Sequence, residues 1–253
     1  MSSANESKDV LIKKVGFNEY FSANQWADYN RKFFNHLAPR YDYLNEVITL
    51  GMQKRYKSEV IRRSPISDGD LVLDICTGSG DMAILTAQMF PHSHVIGVDV
   101  AEKMLEIARE KAKSQSNIEF RLGDAMALPY EDHMFDVSMM SYGLRNLTDF
   151  RRGIMEMKRI TKTDGHIIIV DLGKPEGFFN TMIYNIYFEN IMPFLGRHVF
   201  HRGEFNSFKY LPESNKFFPS AEGLKAVLQE CGIRNIKTYS HMMGIVSQQI
   251  GLV

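Results

Sequence analysis

Leu71-Val72-Leu73-Asp74-Ile75-Cys76-Thr77-Gly78-Ser79-Gly80-Asp81-Met82-Ala83 decides how this chain is read. Leu71, Val72, Leu73 and Ile75 form a short run of branched apolar residues, the signature of a strand buried on both faces of a parallel sheet. The glycines after it permit a tight turn and a close approach of backbone to a ligand. Asp81 to Leu85 then reads as the first turns of a helix. Strand, glycine turn and helix N-terminus together predict a nucleotide-type cleft.

Two ligand classes compete for that cleft. Gly78 to Ala83 satisfies the G-x-G-x-x-A pattern of dinucleotide sites, and Asp99 lies at about the expected ~20-residue distance. Charge argues against a dinucleotide. Asp74, Asp81, Asp99 and Asp124 would crowd the cleft, and Asp81 would face a pyrophosphate at the helix N-terminus. A ligand with an ammonium and a sulfonium suits four carboxylates better, which points to S-adenosylmethionine.

Downstream, strand and helix alternate. Val95 to Val98 predicts a second strand ending at Asp99. Ala101 to Lys113 predicts a helix with Met104, Leu105, Ala108 and Ala112 on one face, and Glu106/Arg109 and Glu110/Lys113 as pairs on the other. Ile118 to Leu122, Phe135 to Met140 and Gly165 to Leu172 are further strands, with a helix around Ile154 to Ile160. A helix at Ala221 to Cys231 precedes strands near Ile236 to Tyr239 and Ile245 to Ile250. No helix separates these last two, so they predict an antiparallel hairpin closing one edge. The pattern is a Rossmann-like, doubly wound, mostly parallel seven-stranded α/β sheet.

Upstream, residues 1–16 read as a leader and 17–65 as a helical lid broken at Pro39. The helix from Met52 to Arg63 carries Lys54, Arg55, Lys57, Arg62 and Arg63, the composition of a solvated face. Residues 70–172 read as the cofactor-binding core, 173–219 as an inserted helical cap and 220–253 as the C-terminal helix and edge strands. The cap holds the apolar, aromatic stretch Phe178 to Leu195. That stretch reads as core, as a channel for a greasy tail, or as a surface helix on a membrane beside Arg197, His198, His201 and Arg202.

Thirty basic residues balance thirty acidic ones in 253, so nothing global favours nucleic acid. Cys76 and Cys231 are too few for a disulfide framework and read as free thiols in a cytoplasmic setting. The first thirty residues lack an apolar signal region, and no apolar run is long enough to span a bilayer. The eight histidines show no metal-ligand spacing.

Ligands of open α/β sheets sit at the carboxyl ends of the strands. Asp74, Asp99, Asp124 and Ser141 all fall there, and Asp99 is placed to accept both ribose hydroxyls. Any one could be a helix cap or turn former; four in register argue for a site.

From about Phe34 to its end the chain resembles the ubiquinone/menaquinone biosynthesis C-methyltransferases, a family of class I S-adenosylmethionine-dependent enzymes. The resemblance rests on Tyr41-Asp42-Tyr43-Leu44-Asn45, the Asp74 to Asp81 loop, Gly123-Asp124-Ala125 with Leu128-Pro129, Tyr142-Gly143-Leu144-Arg145-Asn146, and Tyr210-Leu211-Pro212-Glu213-Ser214. It implies cofactor binding by Asp74, Gly78, Ser79, Gly80, Asp99, Asp124, Ala125 and Ser141. It implies substrate contacts at Tyr41, Asn45 and Tyr210. Cys76, Ala101 and Tyr56 depart from the family's usual residues.

The implied reaction is methyl transfer to a ring carbon of a polyprenylated quinol, either a demethylmenaquinol or a methoxy-polyprenyl-benzoquinol. Transient contact with a membrane surface and a homodimer are compatible partners. A guanidinium is no base at pH 7, so Arg145 is cast as stabilising a developing phenolate and ordering a water, with Asn146 as its hydrogen-bond partner. The bland alternative pairs Arg145 with Asp149. Two other functions stay open: another small acceptor on the same fold, and a non-catalytic cofactor-binding scaffold in a quinone-biosynthesis complex.

Overall fold

A computed structural model describes residues 23–174 and 218–253, together with the helical positions Met182 and Ile186; at 23–25 and 243 it describes the backbone alone. The leader 1–16, Tyr210, Leu211 to Ser214 and nearly all of Phe178 to Leu195 lie outside the described residues.

Helix α1 (Ala23–Leu37) packs Trp26 and Phe33, with Tyr29 stacked between them at ring-centroid distances of 5.7 and 6.0 Å. It ends where Pro39 enters a short 3-10 turn, Ala38–Arg40, since proline lacks the donor that an α-helix needs. Helices α2 (Tyr41–Ile48) and α3 (Gln53–Arg63) follow. Tyr56, Val60 and Ile61 of α3 are buried in the same cluster as Val72 and Val246, so α3 is a layer of the core. Then come β1 (Leu71–Ile75), α4 (Asp81–Met89), β2 (His94–Asp99), α5 (Glu102–Ala112), β3 (Ile118–Leu122) and β4 (Phe135–Ser141). A 3-10 turn, Leu144–Asn146, leads to α6 (Phe150–Ile160) and β5 (Thr161–Leu172). The chain closes with α7 (Ala221–Glu230), β6 (Arg234–His241) and β7 (Val246–Leu252).

The seven strands lie in the order β3-β2-β1-β4-β5-β7-β6. Pairings among β1 to β5 are parallel, and β7 is antiparallel to both neighbours. The C-terminal hairpin therefore closes the edge with its first strand outermost and its second inside.

The two-residue period of the strands sorts the core into two layers. Leu73, Ile75, Ile96 and Val98 pack on Ile154, Met157 and Ile160 of α6 and on Leu224 and Leu228 of α7. Val72, Val95, Val137 and Val170 pack the other way, on α3, α4 and α5. Phe218, at the end of the predicted cap, is buried edge-on against Phe150. Among the described residues no helix is long and apolar enough to cross a membrane.

Two sequence expectations need correction. Arg109 bonds Glu102 at 2.7 Å and the Phe120 carbonyl at 3.2 Å, in place of pairing with Glu106; the strand beside α5 offers an acceptor that helix spacing cannot anticipate. Lys57 is only 8% exposed, because it turns inward to a carboxylate 24 residues away, Asp81.

Candidate active site

The glycine loop leaves β1 at Cys76, whose φ is 57°, and turns through Gly78 and Gly80 at φ 56° and 82°. A side chain at Gly80 would also meet Phe120 at 2.8 Å. Asp99 at the end of β2 fixes the loop: its Oδ2 accepts the Gly78 amide at 2.9 Å, while Oδ1 accepts the Ala101 amide at 2.9 Å. Ala101 has no capping side chain, and Asn35 of α1 takes that role by accepting the Lys103 amide at 3.0 Å. Burial pushes the Asp99 carboxyl up, against the Gly78 and Ala101 amides. Each oxygen keeps a lone pair for a diol.

The ring of four carboxylates divides into unlike members. Asp81, the first residue of α4, bonds Lys57 at 2.8 Å, Gln53 at 3.0 Å and also Lys111. Burial raises its carboxyl, but the two ammonium charges outweigh that and leave it below the ordinary range. Asp74 is 1% exposed. Burial pushes it up to about 7, despite a 2.6 Å bond from the Thr77 hydroxyl and an Ala83 amide that favours the charge from outside bonding geometry. Among the described residues, Asp74 Oδ1 and Gln53 Oε1 are buried with no hydrogen-bond partner. Both line one cavity. Two orphaned acceptors fit an ammonium, and so fit the methionine end of S-adenosylmethionine.

Arg145 and Asn146 lie in the 3-10 turn after β4. Arg145 Nη1 donates to Asp171 Oδ1 at 2.6 Å and to the Tyr142 carbonyl at 3.0 Å; Asn146 Nδ2 donates to the same carbonyl at 2.9 Å. The two predicted catalytic residues thus meet at a shared acceptor. The side chains of Arg145 and Asp171 are 6% and 1% exposed. Asp149 instead caps α6 by accepting the Arg152 amide at 3.0 Å, so the alternative Arg145–Asp149 pairing does not form, and the carboxylate that Arg145 meets is Asp171 of β5. The Asn146 carbonyl accepts Trp26 Nε1 at 2.9 Å and Asn30 Nδ2 at 2.8 Å, tying α1 across the strand ends.

Two cavities open at those ends. One, of about 300 Å³, is lined by Gly78, Asp99, Asp124, Ala125, Ser141 and Asn146. The other, of about 240 Å³, includes Tyr41, Asn45, Gln53, Asp74, Ser79 and Arg145. Phe34, Tyr41, Cys76, Ser141 and Tyr142 belong to both and form the wall between them. Burial pushes the Cys76 thiol and the Tyr142 phenol well above their ordinary values, so both are neutral.

Of the residues predicted to act, Ser79 is 2% exposed and donates to Asp42 of α2 at 2.5 Å. Asp124 is exposed on the rim and accepts the Met126 amide at 2.9 Å. Tyr41, with its phenol raised by burial, faces both cavities. Sequence reasoning did not single out Gln53 or Asp171, and misplaced Lys57. Asp171 had a signal: a charge in the apolar run Ile167 to Leu172 demands a partner.

Residues 23–253 match the ubiE/COQ5 methyltransferase family. A ubiquinone/menaquinone biosynthesis C-methyltransferase of Geotalea uraniireducens is 31% identical over 235 residues, covering 91% of this chain and 99% of the relative. A demethylmenaquinone methyltransferase of Thermus thermophilus is 34% identical over 201 residues, covering 79% and 90%. Among solved structures, a SAM-dependent methyltransferase from Aquifex aeolicus superposes with a TM-score of 0.58 at 19% identity, covering 78% of this chain and 89% of that one. One from Thermotoga maritima gives 0.62 at 19%, covering 87% and 98%. At those identities the structures speak for the fold alone.

Proposed function

The chain belongs to the ubiE/COQ5 methyltransferase family, and on that premise we propose how its two cavities divide the work. It is an S-adenosylmethionine-dependent C-methyltransferase of quinone biosynthesis. The larger cavity takes the adenosine, with Asp99 on the ribose hydroxyls and Asp124 and Ala125 toward the base. The methionine end passes Gly78, Ser79 and Gly80 toward Asp74 and Gln53. The quinol ring lies in the smaller cavity beside Arg145, Tyr41 and Asn45. Ser141 sits where the two meet.

Bound there, S-adenosylmethionine supplies an electrophilic methyl group. The residues of the chain prepare the acceptor. Arg145 holds a permanent positive charge beside the quinol oxygen, favouring the phenolate whose electrons make the ring carbon nucleophilic. Transfer would break the methyl's bond to sulfur, leaving a neutral thioether, as the bond to the ring carbon formed, and Arg145 and Asn146 would order the water that takes up the ring proton. Asp171 keeps the guanidinium plane fixed. Wall residues Cys76 and Tyr142 stay neutral and add no competing nucleophile.

One observation carries this reading: Arg145 lines the smaller cavity, held there by Asp171 and by the carbonyl of Tyr142, a residue of the wall between the two cavities. Turnover with short-tailed demethylnaphthoquinol and methoxybenzoquinol tests it and separates the two ring classes. Arg145→Lys keeps the charge and loses the fork, so kcat should fall at least about tenfold while S-adenosylmethionine affinity holds. Normal turnover with weakened cofactor binding would remove Arg145 from this role. A long-tailed quinol is insoluble in water, which supports transient contact with a membrane surface; co-sedimentation with anionic vesicles measures it.

A further inference from the structure

Seven non-glycine residues among those described have a left-handed backbone. Three are His133, Asp164 and Asn235, types whose side chains tolerate that conformation. The other four are Leu50, Cys76, Tyr142 and Met242, at φ 51°, 57°, 57° and 50°. All four line the smaller cavity. Strained backbone gathered at one cavity points to function there.

Cys76 and Tyr142 belong to its inner wall. Leu50 and Met242 stand elsewhere. Leu50 lies in the turn that ends α2. The Gly51 amide bonds the Glu46 carbonyl at 2.9 Å and the Leu50 amide bonds Val47 at 3.2 Å. That is the helix-ending motif whose left-handed position is ordinarily glycine or asparagine. Leucine is a poor choice there, and burial does not compensate, since it is 67% exposed. Two residues on, Met52 is 41% exposed. Met242 and Ile245, from the connection between β6 and β7, and Val246, which opens β7, line the same cavity, as do Ile48 and Leu172. Its wall thus changes from Asp74, Thr77 and Ser79 at the glycine loop to apolar side chains reaching solvent at Leu50 and Met52.

We propose that Leu50 and Met52, with Met242 and Ile245, form the mouth through which the polyprenyl tail of the quinol leaves the smaller cavity. This rests on the quinol reading above and adds to it the path of the tail. A water-facing apolar side chain on an unfavourable backbone is accounted for if it meets an apolar partner that the described residues do not supply. The tail is such a partner: it is covalently attached to the ring and has to reach solvent or bilayer from a cavity that the glycine loop closes at its polar end. Leu50 therefore sets tail preference and leaves ring chemistry alone.

The substitution that tests this is Leu50→Asn, because asparagine suits the backbone and removes the apolar surface. Stability and tail binding should then move in opposite directions. Thermal unfolding of the full chain should occur at the same temperature or higher. With quinols of one ring type carrying no, one or two isoprene units, KM for the tailed compounds should rise roughly three- to tenfold, part of the worth of a buried leucine. KM for the tailless quinol and the affinity for S-adenosylmethionine should hold. Leu50→Gly relaxes the same backbone and keeps the test open should the asparagine variant misfold. Equal KM changes for tailed and tailless quinols, or none, would overturn the path. So would a loss seen only with vesicle-borne substrate and independent of tail length, which would make the turn a membrane anchor. A parent that methylates neither ring class overturns the quinol reading itself, and the path with it.

Discussion

Replacing Asp171 by asparagine removes one charge from a pair buried almost completely, with side chains 1% and 6% exposed. The Arg145 guanidinium is left without its 2.6 Å counter-charge but still buried, and such a loss costs about 3–5 kcal/mol. Asparagine can still accept the Leu172 amide that Asp171 Oδ1 takes at 2.8 Å, which places the cost at the lower end, about 3 kcal/mol. In a chain of 253 residues that lowers Tm by roughly 6–12 °C. Urea unfolding reads the stability, and single-turnover methylation reads the chemistry. Cofactor affinity should hold, since Asp99 and the glycine loop lie on other strands. Arg145→Met with Asp171→Leu then separates the two roles: an apolar pair of similar volume restores stability, while turnover stays lost. Parent-like stability and parent-like turnover in Asp171→Asn would refute the reasoning.

Further outcomes follow from the same geometry. Asp99→Ala should weaken S-adenosylmethionine by about 1.5–3 kcal/mol, a hydrogen bond to a charged group, and should also free the Gly78 amide; calorimetric titration measures the first and amide exchange the second. Asp74, pushed up to about 7, holds a proton that the unfolded chain releases near pH 4. Its contribution to stability is therefore complete below about pH 4 and lost as pH rises through about 7; Asp74→Asn should flatten that slope in denaturant titrations. An ammonium beside Asp74 would favour its charged form, so cofactor binding near pH 6.5 should release a proton, detected as a buffer-dependent heat. Gly143→Ala places a Cβ 2.5 Å from that of Cys76 and 2.9 Å from Met140 Cγ and should cost about 1–3 kcal/mol; Cys76→Gly in the same chain should recover part of it, because it removes the closer contact and suits φ 57°.

The strand ends were legible because their signals are local. Ile75, Asp99, Leu122 and Ser141 each close an apolar run, and the order of alternation fixes which end of the sheet they share. What sequence could not supply were partners at long separation. Lys57 looks solvated among Lys54, Arg55, Arg62 and Arg63, yet it stands one turn before Ile61 on the buried face of α3. Asp81 then gathers Lys57 from 24 residues before it and Lys111 from 30 after, turning an apparent ring of four carboxylates into a compensated cluster beside three. Local spacing offers Arg145 only Asp149, four positions on, as a structural alternative, while its partner Asp171 comes from the next strand. Gln53 carried no signal, since its importance rests on an acceptor left over after Asp81 takes its amide.

The placement of β7 has a consequence for how this protein is made. β5 carries the apolar run Ile167 to Val170, and among the described residues β7 is what covers one of its edges. Leu172 and Val246, which pair with each other, are 74 positions apart. At about 5–20 residues per second, a ribosome needs roughly 4–15 s to cover that distance. Throughout it, a twelve-residue strand rich in branched side chains offers unpaired backbone to any other chain nearby. Vulnerability to aggregation during synthesis should therefore track conditions that lengthen this interval, such as slow codons between Gly173 and Ile245, more closely than it tracks the stability of the finished fold.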